Sequence, residues 1–132
     1  MSRKVSQLFP ILVVEDDAET RNAMRSLLEL HGYAVVTAGD GSEALQRLRE
    51  GLKPSLILLD LMMPGMDGFG FVNEKRQDPE LSAIPVIIYS GHHDDKSNAA
   101  RLGADGYFQK PVDVERFLKL VQSYRERPEA TH

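Results

Sequence analysis

Cysteine is absent from this chain. Disulfides, thiolate catalysis and cysteine-ligated metals are thereby excluded, and a reducing compartment is allowed. There is no dense basic run, and a net charge of -4 makes the chain a poor nucleic-acid binder by itself. No segment approaches the ~20 consecutive apolar residues of a membrane-spanning helix. The opening "MSRKVSQLFP" lacks the apolar core of a secretory leader, so a cytoplasmic location is expected. Internal repeats, linkers and low-complexity segments are also missing. The first strand-to-helix turn, "EDDAE", has none of the glycines of a dinucleotide- or flavin-binding loop, and its acids would repel phosphates.

What is present is one domain's worth of chain. Its 132 residues can bury a real core, and 42% hydrophobic with 27% charged residues is ordinary for a globular protein. Five apolar runs alternate with segments of helical spacing. "PILVVED", "YAVVTAG", "LILLD", "IPVIIYS" and "DGYFQ" read as strands. "DAETRNAMRSLLELHG" reads as the first helix, with Met24, Leu27 and Leu28 on one face. Asp17 and Glu19 suit its start and His31-Gly32 its end. "GSEALQRLREG" turns Ala44, Leu45 and Leu48 inward, and "MDGFGFVNEKRQ" has Asp67 as its expected N-cap. Gly70 costs that third helix about 1 kcal/mol relative to Ala and softens its first turn. "DDKSNAARLG" is a short, weakly apolar fourth helix, and "VDVERFLKLVQSY" a fifth with Phe117, Leu118 and Val121 inward. Alternating strands and helices predict an α/β fold, a five-stranded parallel sheet covered on both faces by right-handed crossovers.

In such sheets the working groups stand at the carboxyl ends of the strands. Here those ends carry Glu15-Asp16-Asp17, Asp60, Ser90 and, after strand five, Lys110. Asp60 follows the fully apolar run Leu56-Ile57-Leu58-Leu59 and is expected to leave the core for the loop edge. Carboxylates sharing one cleft repel, and a hard cation such as Mg²⁺ relieves them. With a hydroxyl and an ammonium, the set suits phosphoryl transfer through an acyl phosphate. Asp60, alone on the central strand, is best placed as nucleophile, and Glu15 and Asp16 as metal holders.

The motifs "ILVVEDD", "TAGDGSEAL", "LILLDLMMPGMDG", "PVIIYS", "GAD" and "YFQKP", in that order, make the chain resemble the receiver domain of two-component response regulators. The resemblance runs from Ile11 to about Tyr124. It implies a flavodoxin-like doubly wound sheet in the order 2-1-3-4-5, with an N-terminal extension at 1–9, the receiver at 10–126 and a polar tail at 127–132. It also implies residue roles: Asp60 as phosphoacceptor, Glu15 and Asp16 as the metal pair, and Met62 giving a backbone carbonyl to the metal. Ser90 matches the switch hydroxyl, Tyr107 the switch aromatic and Lys110 the phosphoryl-binding lysine, with a cis Lys110-Pro111 peptide. Asp17 matches a variable place and is read as part of the helix.

The function so implied is a signalling switch, with Mg²⁺-dependent self-phosphotransfer and autodephosphorylation, and no metabolic product. A histidine kinase or phosphotransfer protein donates the phosphoryl group, and an unidentified protein partner reads the altered face. Nucleic acid and membrane are not expected partners, and a monomer or weak dimer is. A Mg²⁺-dependent aspartyl-phosphate phosphatase is the alternative, but it would need an acid/base two residues after the nucleophile, where Met62 stands. A constitutive, unphosphorylated interaction module is another, opposed by the complete residue set. Three departures from the family pattern stand out: Val112 after Lys110-Pro111, a short and polar "HHDDKSN" around helix four, and Gly70. His92, His93, Asp94 and Asp95 read as a solvated loop rather than a second metal site, and Met62, Met63 and Met66 as packing.

Overall fold

A computed structural model describes residues 9–61, 68–91, 95–109 and 113–125. Met62, Asp67, Lys110 and the Lys110-Pro111 peptide lie outside the described residues, as do His92, His93 and Asp94.

The elements alternate strictly: β1 (Ile11–Val14), α1 (Ala18–Leu30), β2 (Val35–Ala38), α2 (Gly41–Arg49), β3 (Leu56–Asp60), α3 (Gly68–Gln77), β4 (Val86–Ser90), α4 (Asp95–Arg101), β5 (Gly106–Gln109) and α5 (Val114–Arg125). All four strand pairings are parallel, in the order β2-β1-β3-β4-β5. The sheet expected from the apolar runs is therefore present, in the flavodoxin-like order.

The apolar runs work because the three inner strands, β1, β3 and β4, are buried on both faces. Alternate residues divide between two cores. Leu12, Val14, Ile57, Leu59 and Ile88 join Ala44, Leu45 and Leu48 of α2 and Phe71 and Val72 of α3 on one side. Ile11, Val13, Leu56, Leu58 and Ile87 join Met24 and Leu28 of α1 and Phe117 and Val121 of α5 on the other. The inward faces read from helical spacing are thus the ones turned to the core, with Leu27 and Leu118 only partly buried at its margin.

Strand limits differ from the sequence reading at the ends. β1 stops at Val14, so Glu15 and Asp16 belong to the following turn, although Glu15 N–H still donates to Ala38 O at 3.0 Å. β2 is shorter than "YAVVTAG" and occupies an edge, where its first three residues are only half-buried. Tyr33 N–H is taken by Leu28 O as the first helix closes, which holds it off the ladder.

The starts of α1 and α2 are capped by acids, while the expected cap Asp67 lies outside the described residues. Asp17 accepts from Thr20 N–H at 2.9 Å and from Thr20 Oγ1–H at 2.6 Å. Asp40 accepts from Glu43 N–H at 2.8 Å while Glu43 accepts from Gly39 N–H at 2.8 Å, a reciprocal capping arrangement. Gly68 opens α3 against the end of β3, its N–H bonded to Leu61 O at 2.9 Å.

Candidate functional site

Adjacent strands bring distant acids together. β1 pairs with β3, with Val14 opposite Leu59, so the turn after β1 and the last residue of β3 share one edge. One carboxylate oxygen each from Glu15, Asp16 and Asp60 lie within 4.8 Å of one another. Asp60 is only 6% exposed and Glu15 1%, while Asp16 faces solvent. Asp60 therefore does not leave the core as expected. Gly68 returns closely onto Leu61 and the Asp60 carbonyl, and β4 flanks Asp60 with Tyr89 opposite.

The β1–α1 turn is tightly braced. Arg21 donates through Nη1 to Glu15 O at 2.9 Å, and Asp17 N–H donates to Glu15 Oε2 at 3.0 Å. Asp17 itself caps α1, which keeps it out of the acidic cluster, as its placement on the helix anticipated. Desolvation, followed by the hydrogen bond and charge of Glu15, pushes the Asp16 carboxyl above its ordinary value. Crowded anionic oxygens of this kind fit a hard divalent cation, with room for waters. Glu15, Asp16 and Asp60 would hold it.

Ser90 ends β4 and is buried at 1% exposure, on the same sheet edge as Asp60. Tyr107 lies on β5 opposite Ile88 and is half-buried, packed against the α2–α3 core rather than turned fully to solvent. Beside it, a groove of about 830 Å³ runs between β5 and α5, lined by Lys96, Tyr107, Phe108, Arg116, Lys119 and Leu120 among others. Four sequence-derived site residues (Glu15, Asp16, Asp60 and Ser90) thus share one edge, Tyr107 lies one strand over, and Met62 and Lys110 fall outside the described residues.

One contributor was missed. Tyr89 is 1% exposed, and its hydroxyl donates to Glu15 Oε1 at 2.8 Å. Burial first, then the charge and hydrogen bond of Glu15 and the charges of Asp60 and Asp16, drive its ionisation far above the ordinary phenol range. It stays a donor. The available signal was a phenol inside an otherwise apolar strand, which needs a partner when buried.

The family model for the response regulator receiver domain matches residues 11–122. The chain belongs to that family. This receiver domain is 37% identical to protein PilH of Pseudomonas aeruginosa over 115 residues, covering 86% of this chain and 94% of PilH. Its fold superposes on the signal receiver domain of a Syntrophus aciditrophicus histidine kinase with a TM-score of 0.81 at 29% identity, covering 94% and 97% of the two chains. It superposes likewise on the response regulator TrrA of Thermotoga maritima, at 28% identity and a TM-score of 0.78, over 88% of this receiver and 98% of TrrA. That structure holds TrrA in complex with Mg²⁺ and BeF. No helix among the described residues of this receiver is long and apolar enough to cross a membrane.

Proposed function

We propose that this receiver accepts a phosphoryl group on Asp60 from a histidine kinase or a phosphotransfer protein, and that the modification alters a partner-binding face. The observation that carries the reading is the gathering of Glu15, Asp16 and Asp60 on one edge, with Ser90 at the end of the next strand. The functional unit is residues 10–126, and a cytoplasmic location accords with such a donor.

Asp60 supplies the nucleophilic oxygen. It stands on the central strand, flanked by β1 and β4, so it can be approached from the open edge only. Glu15, Asp16 and Asp60 would hold a Mg²⁺ ion, whose charge would neutralise phosphoryl oxygens. The Ser90 hydroxyl donates to one oxygen of the group carried by Asp60, and Lys110 pairs with another. A phosphoryl group adds about two negative charges and three acceptor oxygens, so it draws the end of β4 inward. Tyr107, one strand over, follows into the space so vacated. The groove between β5 and α5 is the face a partner reads. The result biases two existing arrangements of the chain rather than making a new one.

Incubation with Mg²⁺ and acetyl phosphate tests this. One base-labile phosphoryl group is expected on Asp60 by intact mass and peptide mapping. Asp60→Asn, isosteric but a poor nucleophile, removes it and keeps the fold. An unchanged mass for folded wild-type protein at saturating donor overturns the reading.

A further inference from the structure

Glu15 is held from two sides. Its Oε2 accepts from the backbone N–H of Asp17 at 3.0 Å and its Oε1 from the Tyr89 hydroxyl at 2.8 Å. The first donor belongs to the same turn. The second comes from β4, two strands away from β1 across β3. The Tyr89 ring packs in the core with Phe117, Val121, Met24 and Leu28, so its hydroxyl follows β4 rather than swinging free. Asp60 sits directly opposite Tyr89 in the β3–β4 register. Ser90 is the next residue along.

We infer that Tyr89 is a positioning residue for the ion, fixing the Glu15 carboxylate and thereby tying ion occupancy to the end of β4. The inference rests on the reading of Glu15 as a metal holder. A carboxylate with each oxygen held by a donor has a defined orientation. An ion then meets a preformed ligand instead of having to order one. Because the orienting hydroxyl is carried by β4, the tie runs both ways. A β4 end drawn toward Asp60 by Ser90 moves the donor that aims Glu15, and an ion that fixes Glu15 restrains Tyr89 and its neighbour. Metal site and switch residue are mechanically joined through one side chain.

Tyr89→Phe removes one oxygen and keeps the buried ring. Mg²⁺ affinity, followed by amide shifts of Glu15 and Asp60 in NMR titrations, is expected to fall roughly tenfold, the lower end for loss of a ligand-orienting partner. The Mg²⁺ concentration giving half-maximal labelling by acetyl phosphate rises in parallel, while the rate at saturating Mg²⁺ is retained. Ile87→Val, in the same strand and core, is the control: it lowers the melting temperature and leaves Mg²⁺ affinity alone. In the wild type, the Tyr89 amide is expected to shift with ion saturation. Equal affinities for wild type and Tyr89→Phe, or a Tyr89 amide that ignores the ion while Glu15 responds, overturn the role of Tyr89 alone. Absence of Mg²⁺ binding by the wild type overturns the metal reading as well.

Discussion

Gly68→Ala tests whether the packing of α3 onto the end of β3 sets the position of Asp60. A Cβ at Gly68 would lie 2.5 Å from Leu61 Cα, 2.8 Å from Leu61 Cδ2 and 3.0 Å from Asp60 O. Ordinary carbon–carbon contacts begin near ~3.5 Å, so the helix start and the strand end must part by about 1 Å. Two of these three atoms are backbone, and Leu61 is wholly buried, so rotamer change cannot absorb the clash. Gly68 has no positive φ, so alanine meets no conformational penalty, and its helix propensity is a gain of up to ~1 kcal/mol. Overpacking of a filled core costs about 1–3 kcal/mol. The balance is a loss of about 1–2 kcal/mol, or several degrees of melting temperature in a domain of this size. The larger effect falls on chemistry, because a ~1 Å misplacement of a reacting group can cost ~10²-fold in rate. Thermal melts by circular dichroism and the rate of labelling by acetyl phosphate measure the two separately. Gly39→Ala is the internal control, since its Cβ meets only side-chain atoms at 3.5 and 3.6 Å. Gly68→Ala protein with wild-type stability and labelling rate would refute the argument that this contact places Asp60.

Three further outcomes are expected. Asp17→Ala should cost about 1 kcal/mol of stability through the lost α1 cap and leave Mg²⁺ affinity near wild type, whereas Asp16→Ala should abolish binding; calorimetry and chemical melts decide. Ser90→Ala should still be labelled on Asp60 but respond weakly to beryllofluoride at Tyr107, so amide spectra with wild-type shifts there would contradict the switch. Lys75 is 6% exposed, its Nζ donates to Ser82 O at 3.1 Å, and burial lowers its ionisation, opposed by the charge of Asp105. Its folded value lies below the unfolded one, so the unfolded chain binds more protons between them and stability rises with pH across that window. The penalty is full below the folded value, so Lys75→Met should match or exceed wild type in urea at pH 7. Its advantage should shrink toward about pH 10.

The legible parts of the sequence were those fixed by local pattern. Leu56–Leu59 could only be a doubly buried strand, and Asp60 at its end pointed to the working edge before any pairing was known. The division between Asp16 and Asp17 was readable too, because an acid one place before a helix serves its N-terminus. Illegible residues owe their environment to partners far along the chain. Tyr89 reads as one more core aromatic until β1 and β4 are placed on either side of β3, when Glu15 comes within reach of its hydroxyl. Lys75 reads as the polar side of a helix, and its burial follows from the return of residues 78–85 across α3, where Ser82 O accepts from it. The setting of Asp60 is likewise long-range: Tyr89 of β4 stands opposite it, and Gly68, eight residues downstream, brings the start of α3 against its carbonyl.

The neighbourhood of β1 and β3 in the sheet has a consequence for the chain as it is made. Synthesis at ~5–20 residues per second delivers Glu15 and Asp16 seconds before Asp60, and Ser90 and Tyr89 later still. A nascent chain that ends short of β3 carries two of the three clustered carboxylates and lacks the proposed acceptor. One that ends short of β4 carries the acceptor with neither the hydroxyl beside it nor the donor that aims Glu15. If Asp60 is the acceptor, chains stalled before β4 lack the hydroxyl through which labelling would be read out, so the switch response requires a polypeptide finished through its fourth strand.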